Sequence, residues 1–133
     1  EEMVRELVLT PGCTLLVLDD HDRPGALLAC CYVEERGDDT CYLGMLAVRP
    51  DTQARGLGSV MLAAAQAHAR RHGAVRIEIT VIAQRAELIA WYERNGFVRT
   101  GETSPFPYGD PRFGLPRRPD LEFCHLARPV DPE

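Results

Sequence analysis

The sequence predicts a mixed α/β fold over residues 1–133, one domain in which an antiparallel meander leads into a parallel strand pair. Three observations carry this reading. Residues 75–81 alternate strictly, so that Val75, Ile77, Ile79 and Val81 share one face while Glu78 and Thr80 share the other. An alanine-rich helical stretch at 57–72 separates that strand from an apolar strand at 40–48, and the right-handed crossover rule makes two strands so joined parallel. Ahead of them, apolar runs at 14–19 and 26–35 are parted by turn-rich clusters, as in consecutive hairpins.

In chain order, residues 1–9 read as the end of a helix halted by Pro11-Gly12. Asp20-His21-Asp22-Arg23-Pro24-Gly25 turns the first hairpin strand into the second, and Arg36-Gly37-Asp38-Asp39 turns the second into the strand at 40–48. The helix at 57–72 has Gly73 where a left-handed residue closes a helix, and its small side chains suit close packing on a sheet. Residues 84–94 form a second helix that ends at Asn95-Gly96. A strand then begins at 97–100, a proline-rich stretch at 102–120 reads as loop, and a strand at 121–127 closes the sheet.

The bulk properties narrow the function. No apolar run reaches the ~20 residues that cross a bilayer, and no leader-like pattern opens the chain, so a cytoplasmic protein without a membrane partner is expected. The net charge of -5 argues against nucleic acid as a partner. The basic spot Arg70-Arg71-His72 ends a helix, where cations meet the dipole favourably. Cys13, Cys30, Cys31, Cys41 and Cys124 sit mostly in apolar strand patterns and read as small buried residues. With no Cys-x-x-Cys and no His-rich spacing, no metal is expected, and His21, His68 and His72 read as turn and helix-surface residues.

Residues 46–59 carry the strongest functional information. They run an apolar strand through a glycine-containing turn into a helix, so that Gly56 and Gly58 let the backbone approach a ligand while the helix's first N–H groups point at an anion. A phosphorylated ligand at the strand end is the expectation. A P-loop is excluded, because the chain contains no lysine. A dinucleotide fingerprint wants a third glycine where Met61 stands.

What remains is the pattern Gln53-x-x-Gly56-x-Gly58 after a strand ending in Val48, and here the chain resembles the GNAT N-acetyltransferase superfamily. A second block, Arg85-Ala86-Glu87-Leu88-Ile89-Ala90-Trp91-Tyr92-Glu93-Arg94-Asn95-Gly96-Phe97, is similar to the superfamily's Asn-x-x-Ala-x-x-Leu-Tyr-x-x-x-Gly-Phe motif. The resemblance implies acetyl-CoA as acyl donor and a primary amine of a small molecule or peptide as acceptor, joined by direct attack in a ternary complex. It implies an acyl-CoA N-acyltransferase fold whose strands at 40–48 and 75–81 splay apart around the pantetheine arm. Leu46, Ala47 and Val48 then line the thioester end, and Gln53, Ala54, Arg55, Gly56, Leu57, Gly58 and Ser59 surround the pyrophosphate. Arg85 stands in the place of the motif's cofactor-contacting Asn. Because the chain opens Glu1-Glu2 without an initiator Met, part of the family's opening strand and helix region is expected to lie outside it.

The chemistry asks for a base and an acid. An alkyl amine of pKa about 10.4 is almost wholly protonated at pH 7 and must lose a proton, while the departing thiolate must gain one. Tyr92 matches the family's tyrosine acid. Glu78, on the polar face of its strand with Thr80, is the candidate base, directly or through water, and His125 on the last strand is the alternative. Tyr42 holds the place of a glutamate that some members carry, and Tyr42 and Thr80 are assigned to the acceptor. Tyr108, Asp110 and Arg112 in the proline-rich loop are assigned to its recognition, under a loop that lids the site. The competing readings are a CoA-binding regulatory or interaction module without turnover and a nucleotide-binding domain. A homodimer is a candidate assembly.

Overall fold

The computed structural model describes residues 4–51, 56–105 and 121–131. Among these run β1 (Val4–Thr10), β2 (Cys13–Asp19), β3 (Leu27–Arg36), β4 (Thr40–Val48), α1 (Leu57–Arg71), β5 (Arg76–Ile82), α2 (Ala86–Arg94), β6 (Val98–Pro105) and β7 (Glu122–Pro129). They fall into two compact units, Glu1–Glu78 with Pro129–Glu133 and Ile79–Arg128.

In the first unit the strand order is β1-β2-β3-β4-β5. β1 to β4 form an antiparallel meander, and β4 pairs with β5 in parallel through Thr40 with Arg76, Cys41 with Ile77 and Tyr42 with Glu78. The expected meander and parallel pair are both present. α1 packs on β2, β3 and β4. It buries Leu57, Met61, Leu62, Ala65 and Ala69, the stripe that a period of 3.6 puts on one face. Beneath it lie Cys31, Val33, Cys41 and Leu43. Burial pushes the Cys31 thiol up to about 12, so it acts as a small core residue.

α1 ends in a Schellman motif. Gly73 has φ 80, its N–H donates to the Arg70 carbonyl, and the Ala74 N–H donates to the Ala69 carbonyl. The chain's last described residues are fastened to the same helix: Gln66 Nε2 donates to the Pro129 carbonyl, the Asp131 N–H donates to Gln66 Oε1, and Arg70 donates to the Asp131 carbonyl.

The opening segment differs from expectation. Residues 4–10 form a strand paired with β2, with Thr10 opposite Cys13, instead of the end of a helix. Pro11-Gly12, which can stop a helix, here closes a two-residue hairpin. Gly12 at φ 84 suits the position of a Pro-Gly turn that needs a positive φ. Val75 differs too. It precedes β5 and is exposed, while Ile77, Ile79 and Val81 are buried as the alternation requires.

In the second unit the order is β5-β7-β6, with β5 contributing its later residues and β6 antiparallel to β7. Residues 102–105, expected in the loop, belong to β6, where Thr103 to Pro105 pair with Cys124 to Glu122. α2 also ends in a Schellman motif: Gly96, at φ 93, donates its N–H to the Glu93 carbonyl, and the Phe97 N–H donates to that of Tyr92.

Candidate functional site

Two local features shape the end of β4. The register with β3 shifts between the pairs Cys30–Ala47 and Tyr32–Gly44, so Met45 and Leu46 together stand opposite Cys31. This is a β-bulge, and Met45 takes a left-handed φ of 53 with its side chain exposed. A bulge breaks the regular alternation and re-aims the residues after it. Ala47 is exposed, and Leu46 and Val48 are half-buried.

Arg49 then holds the exit of the strand. Its Nη1 donates to Asp20 Oδ2 at 2.8 Å and its Nε to Asp51 Oδ1 at 2.8 Å. The Arg49 bond, helped by the Asp22 N–H, keeps the Asp20 carboxyl below the usual range. Gln53, Ala54 and Arg55 lie outside the described residues. Gly56 is the N-cap of α1 at φ 72, and among the described residues a Cβ placed there would meet no atom within 4 Å. α1 has no side-chain cap and no acidic residue in its first turn. The N–H groups of Leu57, Gly58 and Ser59 thus open a helix whose positive end is neutralised by no carboxylate of its own, which suits an incoming anion. Leu57 is buried, so its part in such a site is played by its main chain.

On the sheet face opposite α1, the register aligns Cys13, Glu34, Tyr42 and Glu78 across β2, β3, β4 and β5. The Tyr42 ring lies under the Arg36 guanidinium, 4.1 Å from Cζ to the ring centre, and against Gly44, where a Cβ would come within 3.0 Å of it. Arg36 Nε donates to Glu34 Oε1 at 2.8 Å, and Arg76 pairs with Glu78. The Tyr32 hydroxyl lies 3.1 Å from both Cys13 Sγ and Glu34 Oε2, and these bonds, chiefly the one to Cys13, push its pKa up. Arg36 above all holds the Glu34 carboxyl below its usual range. Sequence reasoning singled out Tyr42 and Glu78 but missed Glu34, Tyr32 and Arg36. The alternation of β3 shows that Tyr32 and Glu34 share a face, but their strand partners are set by register.

In the second unit, Tyr92 is buried on α2, edge-on to Trp91 and Phe97, with ring centres 5.0 Å and 5.4 Å away. Arg85 is the N-cap of α2 and lines a cavity of about 390 Å³ with Gln84, Ala86, Glu87 and Leu88. Thr80 is half-buried on β5. His125 Nε2 is 2.9 Å from Ser104 Oγ, so the alternative base already has a hydroxyl partner. Tyr108, Asp110 and Arg112 lie outside the described residues.

The Acetyltransferase (GNAT) family matches residues 1–97. A mycothiol acetyltransferase of Beutenbergia cavernae is 37% identical over 87 residues, which are 65% of this chain and 29% of that protein. A mycothiol acetyltransferase of Saccharopolyspora erythraea is 33% identical over 95 residues, 71% of this chain and 30% of that protein. The chain therefore spans less than a third of these curated relatives. In fold, it is similar to a GNAT family acetyltransferase from Elizabethkingia anophelis with acetyl-CoA bound, at a TM-score of 0.80 and 12% identity over 97% of this chain and 98% of that one. Acetyl-CoA is the acyl donor of GNAT enzymes, and the family match takes in β1 to β5, both helices, Gly56 and Tyr92: this chain belongs to the GNAT acetyltransferase family.

Proposed function

We propose that this chain transfers the acetyl group of acetyl-CoA to a primary amine of a small molecule or peptide, by direct attack in a ternary complex. The observation that carries the reading is the bulged end of β4 leading to an uncapped α1 that starts at a left-handed Gly56. Main-chain N–H groups of Leu57, Gly58 and Ser59 would take the pyrophosphate, together with Gln53, Ala54 and Arg55 just before them in the chain. Leu46, Ala47 and Val48 would accept the amide-rich arm as an added strand would be accepted, because a bulged strand leaves main-chain groups in need of partners. The open space at Gly56 suits a phosphate at that point, since none of the described residues would meet a Cβ there.

Two proton movements are needed. Glu78, register partner of Tyr42, is proposed to take the amine's proton, with Arg76 keeping its carboxylate oriented. Tyr92 is proposed to protonate the departing thiolate. Its buried ring fixes the direction of its hydroxyl, which supports a positioned donor. Tyr42 and Thr80 are proposed to face the acceptor, Arg85 a phosphate of the donor, and Tyr108 and Arg112, in the proline-rich stretch of the sequence, the acceptor.

The test is thiol release from acetyl-CoA across a panel of amines that begins with the acceptors of the mycothiol acetyltransferase relatives. Amine-dependent release supports transfer. Acetyl-CoA binding with no release for any amine replaces the reading with a non-catalytic CoA-binding module.

A further inference from the structure

We propose that His68, His72 and Glu35 form a binding site for a divalent transition-metal ion of the zinc class, at the C-terminal end of α1. One potential ligand atom from each of the three lies within 4.8 Å of the others. His68 lies on α1 and His72, four residues on, is its C-cap, so about one helical turn brings their rings together, with centroids 4.3 Å apart. That is the spacing by which two histidines of one helix face ligate a single ion. Glu35 reaches the pair from β3, its Oε2 3.6 Å from His72 Nδ1. Ligands about 2.0–2.2 Å from a tetrahedral ion stand roughly 3.4 Å from one another, so the Glu35–His72 edge already has nearly the required length.

The surroundings supply what a metal site needs beyond its ligands. His68 is buried, and its Nδ1 lies 3.1 Å from Glu6 Oε1 on β1. A carboxylate on one imidazole nitrogen fixes the tautomer and leaves the other nitrogen's lone pair for a metal. Glu6 is itself paired with Arg71, so the carboxylate is held from its other side. Glu35 and His72 also line a cavity of about 250 Å³ together with Asp38, Asp39, Thr40 and Ala74, which gives an ion a route in and leaves room for water as a fourth ligand. Two imidazoles and one carboxylate suit zinc, copper or nickel better than magnesium or calcium. His68, read from the sequence as a helix-surface residue, is buried, and Glu35 lies on a separate element, β3, so no spacing along the chain points to this grouping.

The 15 residues of α1 place this site about 20 Å from Gly56, at the opposite end of the helix from the proposed pyrophosphate contacts. An ion there would tie α1 to β3, and through His68 to Glu6 on β1, without touching the acyl donor. The inference is therefore independent of the transfer reading.

The experiment uses the chelator-stripped chain without a polyhistidine tag, titrated with Zn²⁺ by calorimetry and with Co²⁺ by visible absorption. One ion per chain is expected, with cobalt bands of low-symmetry coordination and a melting temperature that rises with Zn²⁺. His72→Ala and Glu35→Gln, both at exposed side chains, should keep the circular dichroism spectrum, weaken Zn²⁺ at least ~10-fold and abolish the thermal shift. Glu6→Gln should weaken it about 10-fold while leaving the stoichiometry unchanged. Acetyl-CoA affinity should stay the same in all three variants. Absence of Zn²⁺ binding by the parent chain, or equal binding by His72→Ala and Glu35→Gln, overturns the proposal.

Discussion

Phe97 stands edge-on to Tyr92, with ring centres 5.4 Å apart and planes at 78°, across the turn that ends α2. The same two residues exchange a main-chain hydrogen bond, from the Phe97 N–H to the Tyr92 carbonyl. They occupy the two places of a Schellman motif between which a hydrophobic contact is commonly made, and Gly96 between them takes the left-handed φ that only glycine adopts freely. The Tyr-x-x-x-Gly-Phe pattern is thus a helix terminator that locks an aromatic ring, and with it the direction of a hydroxyl.

Tyr92 should separate packing from proton donation. Tyr92→Phe keeps the ring against Phe97 and should cost at most about 1 kcal/mol of stability, while lowering turnover about 100-fold if protonation of the thiolate limits the rate. Tyr92→Ala removes the ring and should cost roughly 3 kcal/mol in denaturant unfolding. Full turnover by Tyr92→Phe across the pH range would leave the residue a packing element.

Gly56 should show stability and affinity moving apart. Asp tolerates the left-handed region better than most residues, and its carboxylate suits the start of a helix. Since a Cβ at Gly56 meets no atom of the described residues, Gly56→Asp should unfold within about 1 kcal/mol of the parent. The added charge sits where phosphate is proposed to bind, so acetyl-CoA affinity should fall at least ~10-fold. Unchanged affinity in a folded Gly56→Asp protein would remove α1's start from the donor site.

Glu78→Gln preserves size and abolishes basicity. Turnover at neutral pH should fall more than acetyl-CoA affinity does, and the deficit should shrink at high pH as more of the amine is already neutral. A mutant indistinguishable from the parent, with the pH-dependent loss appearing instead in His125→Gln, would move the base to β7.

Asp20 should govern part of the acid limb of stability. Its carboxyl is held below the ordinary value, first by the Arg49 bond and then by the Asp22 N–H. A depressed folded-state pKa contributes stability that is present in full above the unfolded value, about 3.9, and disappears as pH falls through the folded one. Urea midpoints from pH 6 to pH 2 should therefore fall more steeply in the parent than in Asp20→Asn, the two curves converging at the acid end. Parallel curves would show that the Asp20–Arg49 pair adds nothing to acid sensitivity.

Much of the fold was legible because its signals are local. The strand at 40–48 is β4 to the residue, the helix at 57–72 ends one residue late, and the alternation at 75–81 falls on β5. Apolar period, glycine after a helix and clustered turn residues are each read within a dozen neighbours. β1 escaped for the same reason. Pro11-Gly12 serves equally to stop a helix or close a hairpin, and only the pairing of Thr10 with Cys13 decides between them.

By itself, then, the sequence determined the order of elements from β2 onward, the glycine-opened helix start and the aromatic helix terminator, all set by neighbours along the chain. Tertiary structure decided which residues stand side by side: the Met45 bulge against Cys31, the row Glu34–Tyr42–Glu78, and the buried His68 brought between Glu6 and the Glu35–His72 pair. The physical reason is that a residue's own strand or helix sets which way its side chain faces. What it meets there depends on cross-strand register and on which helix covers the sheet, and a single-residue slip in register would exchange every partner.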